Sequence, residues 1–270
     1  MIAAIQLSWH VIWSRIVDPD SVFAHALWAT VYISIVAQVL GIILGLVAAL
    51  MRMSNFGPLR FLSGAYVLVF RGTPVLVQIM FIWLIIPGRT VGFGPFTLKQ
   101  EVFAGILALG VNEGAYMREI IRAGIDSIDK GQMEAGKSLG MRYGTIMRRI
   151  VLPQAARVIV PPLGNEFNNM MKTSSLVYII GVYELFSDAE QVFSSSGNVA
   201  PFIAVAFWYL VLTSIWSIVQ AVIERRLAVS EHGDELSLRE RAVAVWTEGG
   251  GVSRLGDWPF GAGGRWRGRS

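Results

Sequence analysis

The stretch PPLGNEFNNMMK, residues 161–172, sets three asparagines, a glutamate and a lysine inside an otherwise apolar run. Asn168, Asn169 and Lys172 lie three, four and seven residues beyond Asn165. A helix therefore puts these four on one face. Glu166 falls about 100° from Asn165 around that helix. Buried polar groups are expensive in hydrocarbon and turn toward a cavity or another helix. A lysine and a glutamate in such a cavity offset the two charges of a small polar solute, while the amides supply neutral hydrogen bonds. The alternative is that the same residues are glue between helices of two subunits. Arg71, Asn112 and Glu113 are further polar side chains set among apolar residues.

Other chemistries find less support. His10, His25 and His232 are scattered, with no pair at metal-ligand spacing, and there is no cysteine. The run GQMEAGKS, residues 131–138, has the G-x-x-x-x-G-K-[ST] spacing, but it falls inside a stretch that reads as helix and not in a loop after a strand, so the chain is not expected to bind ATP itself. A proton-coupled carrier would want mid-membrane carboxylates, and Glu113 and Glu166 leave that alternative open.

The elements that position these residues are long apolar runs. Of 270 residues, 54% are hydrophobic and only 16% are charged, against roughly 25% in a soluble domain. A helix crossing a bilayer needs about 20 apolar residues. Five regions qualify: 24–51, 61–86, 101–121, 155–180 and 200–224. The first contains Gly41 and Gly45, a small-xxx-small pair that permits close helix contact. This first run is too long for the h-region of a cleavable signal and is expected to stay as a membrane span.

Lys and Arg concentrate in the loops that follow the first, third and fifth regions. Loop 181–199 has no basic residue but carries Glu184, Asp188 and Glu190. The asymmetry predicts an external N-terminus and an internal C-terminus. RGTP at 71–74 interrupts the second region. Either 61–70 lies along the interface with Arg71 at the headgroups, or one long helix kinks at Pro74 with Arg71 facing a polar cavity. Residues 1–20 read as an external segment. Residues 229–270 are rich in Gly and Arg and read as a disordered internal tail.

The most water-friendly run is EAGKSLGMRYGTIMRRIVLP, residues 134–153. Its pattern predicts a helix over 130–139, a break at Gly140, a second helix from Arg142 to Val151, and a stop at Pro153. Leu139, Met141, Ile146, Met147 and Ile150 would form an apolar side, and Lys137, Arg142, Arg148 and Arg149 a basic one. A connector this long and patterned reads as a docking knob.

This run resembles the EAA loop in permease subunits of ATP-binding-cassette importers. Glu134, Ala135, Gly136, Gly140, Ile150, Leu152 and Pro153 match the motif at full spacing, with Gly136 in place of its second alanine. FRGTPVLVQ (70–78), NEGAYMREIIRAGI (112–125) and KTSSLVYIIGVYEL (172–185) look like the polar amino-acid branch, the histidine/glutamine/arginine type. The resemblance covers residues 20–228. It implies an all-α membrane protein with the five transmembrane helices of the type I importer permease, in the inner membrane, with a coupling helix between spans three and four. The transmembrane domain would occupy 21–228. The substrate would be a polar amino acid. The implied partners are two ATPase subunits that carry ATP and Mg, a second permease copy or paralogue, an external substrate-binding protein and lipid, with no nucleic acid. No catalysis or cofactor is expected of this chain.

Overall fold

The computed structural model describes residues 9–228, except 87, 89, 94 and 95. The expected tail at 229–270 and His232 therefore lie outside the described residues. The chain divides into units 1–225 and 226–270.

The order is α1 (Trp9–Val17), α2 (Ser21–Met53), α3 (Gly57–Gly72), α4 (Val75–Ile85), β1 (Thr90–Phe93), β2 (Phe96–Lys99) and α5 (Gln100–Asp126). Then come α6 (Lys130–Ser138), α7 (Tyr143–Ile146), a π turn (Met147–Val151), α8 (Leu152–Thr173), a 3-10 segment (Ser174–Ile180), α9 (Leu185–Ser196) and α10 (Ala200–Ala228). The two strands pair antiparallel, Thr90 opposite Lys99 and Phe93 opposite Phe96. They form a short hairpin in an otherwise helical chain, where the β-branched and aromatic residues of TVGF and FTLK favour extended backbone.

Each of α2 and α10 is long and apolar enough to cross a membrane by itself. The expected span 61–86 is not one helix. It is the pair α3 and α4, bent by 109°, and together they pass as a third span. Pro74 removes a backbone donor and disfavours helical geometry at Thr73, which adopts φ −121° and ψ 148°. The carbonyls freed by the break are taken up by side chains. Gln78 Nε2 donates to the carbonyls of Phe70 and Thr73 at 2.9 and 3.0 Å, and Asn112 Nδ2 donates to Phe70 at 2.8 Å.

Helix α2 packs along α5. Gly41 and Gly45 face Glu113, Gly114, Met117 and Arg118 so closely that a side chain at either glycine would meet them. The small-xxx-small pair is thus a close helix contact. Three apolar clusters fill the bundle: one at mid-height around Ile33, Ile79, Leu109 and Val177, one at the knob end around Met117, Ile121, Ile146 and Val151, and one at the opposite end around Phe23, Leu185 and Val205.

At that opposite end the loop 181–199 holds a helix, α9, that composition did not predict. Glu184 caps it, its carboxylate accepting from the backbone N–H groups of Phe186 and Ser187, both at 2.9 Å. Tyr209 and Ser187 hydroxyls donate to it at 3.1 Å each. Helix α1 is tied in by Arg15, which pairs with Asp188 at 2.7 Å, and by Trp208 Nε1, which donates to the Arg15 carbonyl at 3.0 Å. Burial pushes the Glu184 carboxyl up to about 7 from the ordinary 4.5, against the pull of those donors. An acid raised in this way favours the folded state most below its unfolded value, and that contribution disappears as pH climbs through the folded one. Melting temperature should therefore fall between about pH 4.5 and pH 7 through this group, and Glu184→Gln should flatten that slope. Parallel, unchanged slopes in the two proteins would refute the assignment.

Candidate functional site

The break between α3 and α4 opens a cavity of about 480 Å³ against α5 and α8. Thr73 and Pro74 line it from the break, Asn112, Glu113 and Tyr116 from α5, and Glu166, Asn169 and Lys172 from α8. Five of the eight pathway residues expected from sequence are thereby brought together: Asn112, Glu113, Glu166, Asn169 and Lys172.

The other three are placed differently. Asn165 accepts from Gln220 of α10 at 3.2 Å, and Asn168 donates to Ser217 of α10 at 3.4 Å. The polar stripe of α8 straddles a boundary, with Asn169 and Lys172 on the cavity side and Asn165 and Asn168 turned to α10. The hydrogen bonds of these two run to α10 of the same chain. Glu166, set apart by sequence, stands in the lining. Arg71 does not line the cavity; its guanidinium lies 4.9 Å from the ring centre of Tyr116, which does.

The lining is supported from behind. Gln38 of α2 is buried and donates to Glu113 Oε1 at 3.1 Å. Gln78 Oε1 accepts from Asn112 Nδ2 at 3.0 Å. Sequence reasoning missed Gln38, Gln78, Thr73 and Tyr116. The signal available was a lone amide in each of two apolar helices. Two carboxylates, one ammonium group and several neutral hydrogen-bonding groups can hold a small zwitterion through its charges and its polar atoms. Among the described residues, no group of His, Cys, Asp and Glu is arranged to hold a metal ion.

The second element is the knob. Helix α6 ends in a Schellman arrangement: Met141 N–H bonds the Gly136 carbonyl at 3.1 Å, and Gly140 N–H bonds that of Lys137 at 2.9 Å. Gly140 sits at φ +72°, as that motif requires. Gly136 is buried, and a Cβ there would meet Ile146 Cγ1 at 2.8 Å, so the glycine seats Ile146 against α6. Glu134, Ala135 and Leu152 are exposed, and Ile150 is partly buried against the knob-end cluster. Leu139, of the expected apolar side, is 80% exposed, because it is the cap at which the chain reverses. One expectation is corrected here. Pro153 does not stop the helix. Leu152 N–H bonds back to Met147 through the widened π turn, and Pro153 falls in the first turn of α8.

Comparison with known proteins matches residues 41–229 to the family described as binding-protein-dependent transport system inner membrane component. The chain is 37% identical over 242 residues to the arginine transport system permease protein ArgU of Corynebacterium glutamicum, covering 86% of this chain and 76% of that one. It is 39% identical over 208 residues to the L-cystine transport system permease protein TcyB of Bacillus subtilis, covering 76% and 86%. A solved amino acid ABC transporter, crystallised with histidines, superposes with a TM-score of 0.67 at 38% identity, covering 76% of this chain and 94% of that one. With the family match spanning more than half of its length, this chain belongs to the inner membrane components of binding-protein-dependent transport systems.

Proposed function

We propose that this chain is the permease subunit of an ATP-driven importer for a polar amino acid. Residues 134–153 dock it to a separate ATPase, which binds the ATP and Mg. A binding protein delivers substrate, and a second permease copy or paralogue completes the pathway. The chain crosses the inner membrane five times with its N-terminus outside. Residues 21–228 form the transmembrane domain and 229–270 an internal tail. Asn112, Glu113, Glu166, Asn169 and Lys172 contact substrate, with Arg71 at the margin.

One observation carries this reading. Helix α8 has the knob fused to its first turn through the π turn and carries Glu166, Asn169 and Lys172 in its last two turns. Knob and cavity wall are thus carried by one helix, with Pro161 and Pro162 between them. The exposed Leu139 and Tyr143 at the knob's tip, beside Glu134 and the arginines, suit a cleft on a partner. The amino-acid permeases among its relatives support the substrate class.

The test is uptake into liposomes that contain the purified complex with its copurifying ATPase and binding protein. Amino-acid accumulation should require ATP on the ATPase side and stop in its absence. Accumulation driven by a proton or sodium gradient without ATP would replace this reading with a secondary carrier.

A further inference from the structure

Where α2 turns back into α3, the two helices leave an apolar groove of about 250 Å³ on the outside of the bundle. Leu44, Val47 and Met51 line it from α2, and Leu62 and Tyr66 from α3. The Tyr66 hydroxyl is turned away to the Val111 carbonyl at 2.5 Å, so its ring is what the groove sees. From Leu44 to Met51 the groove runs about 10 Å along α2. That is most of the roughly 15 Å depth of one leaflet's hydrocarbon.

The turn that joins α2 to α3 is cationic. Arg52 follows Met51 at the end of α2, and Arg60 stands in the first turn of α3, two residues before Leu62. Neither has an ion pair among the described residues, whereas the nearby carboxylates are taken: Glu119 pairs with Arg118 and Arg122, and Asp126 with Arg122. The floor is also backed by charge. Arg118 is buried and donates from Nε to Ser63 Oγ at 3.1 Å, and Ser63 donates to the Ala48 carbonyl at 2.7 Å. Ser63 and Ala48 both line the groove.

We propose that this groove is a binding site for an anionic phospholipid, one acyl chain lying between α2 and α3 and the phosphate group neutralised by Arg52 and Arg60. A zwitterionic lipid offers the same phosphate but brings a cationic group beside the two arginines, so its net charge compensates neither. Charge therefore selects the headgroup, and the groove selects the place.

The experiment is lipid retention by the full chain, purified with its natural partners from nanodiscs of mixed phosphatidylglycerol and phosphatidylcholine, with bound lipid counted by mass spectrometry. Phosphatidylglycerol should be held in preference. An arginine near a membrane surface is worth roughly fivefold in binding an anionic lipid, so the double variant Arg52→Gln/Arg60→Gln should hold it roughly 25-fold more weakly. Lys130→Gln, at the start of α6, should change nothing. Val47→Trp should fill the groove and displace the lipid with both arginines intact. Equal retention of the two lipids, or unchanged retention in the double variant, would overturn the site. So would an efficient disulfide between two chains carrying Val47→Cys, which would put a second copy in the groove.

Discussion

Gly45→Val should lower both the abundance of folded protein in the membrane and its melting temperature. The α2–α5 contact is made by backbones at van der Waals range, and glycine is what permits it. A Cβ at position 45 would overlap the Met117 side chain and stand 2.9 Å from Arg118 N and 3.0 Å from the Gly114 carbonyl. Backbone atoms cannot rotate out of the way, so the helices must separate. Overpacking of this sort costs about 1–3 kcal/mol and occasionally more, a large part of the roughly 5–15 kcal/mol that holds a protein folded. Separation also breaks the Gln38–Glu113 hydrogen bond and moves one wall of the cavity. The comparison is Gly64→Ala in α3, where nothing lies within 4 Å of the added carbon. That variant should match the parent in abundance and melting temperature. Normal abundance and melting of Gly45→Val would show that α2 and α5 are not held at this distance.

Much of this arrangement was legible in the sequence, and the rest failed for identifiable reasons. Length and hydropathy mark α2 and α10 because each is one uninterrupted apolar run. RGTP marks a disturbance in the second region, but a local signal cannot give a 109° bend whose freed carbonyls are satisfied by Gln78 and by Asn112 of another helix. Helices α1 and α9 are short for a periodic signal; α9 has local caps in Glu184 and Gly197, while α1 is held by distant contacts such as Arg15 with Asp188. In the cavity, Glu113, Glu166, Asn169 and Lys172 stand out because charge and amide groups are rare in apolar runs. Gln38 and Gln78 are single amides on helices read as pure spans, so nothing local points to their task. Asn165 and Asn168 share a face with Asn169 and Lys172, and only the position of α10 divides them. In the knob, the break at Gly140 follows from residue type alone. The passage through Pro153 does not, because it depends on a π turn with no residue signature.

Gly140→Val should separate transport from assembly. Position 140 has φ +72°, a left-handed conformation that a β-branched residue resists, and the strain is of order 1–3 kcal/mol. The space is open, with nothing within 4 Å, so the penalty is conformational and not steric. The chain relieves it by losing the Gly136–Met141 and Lys137–Gly140 backbone bonds, which frees α6 from α7 and redirects Leu139 and Glu134. Cavity, α2–α5 packing and membrane insertion lie elsewhere and should be untouched. Under the proposed docking role, the variant should be present at normal level and keep its melting temperature to within a few degrees. It should lose the copurifying ATPase and its stimulated hydrolysis, and with them nearly all uptake. Gly140→Asn is the informative partner, because asparagine tolerates the left-handed region, and it should recover much of the activity. If valine retains the ATPase, the stimulated hydrolysis and the uptake, residues 134–153 do not couple this chain to its motor. If valine and asparagine fail alike, the left-handed turn is not the reason.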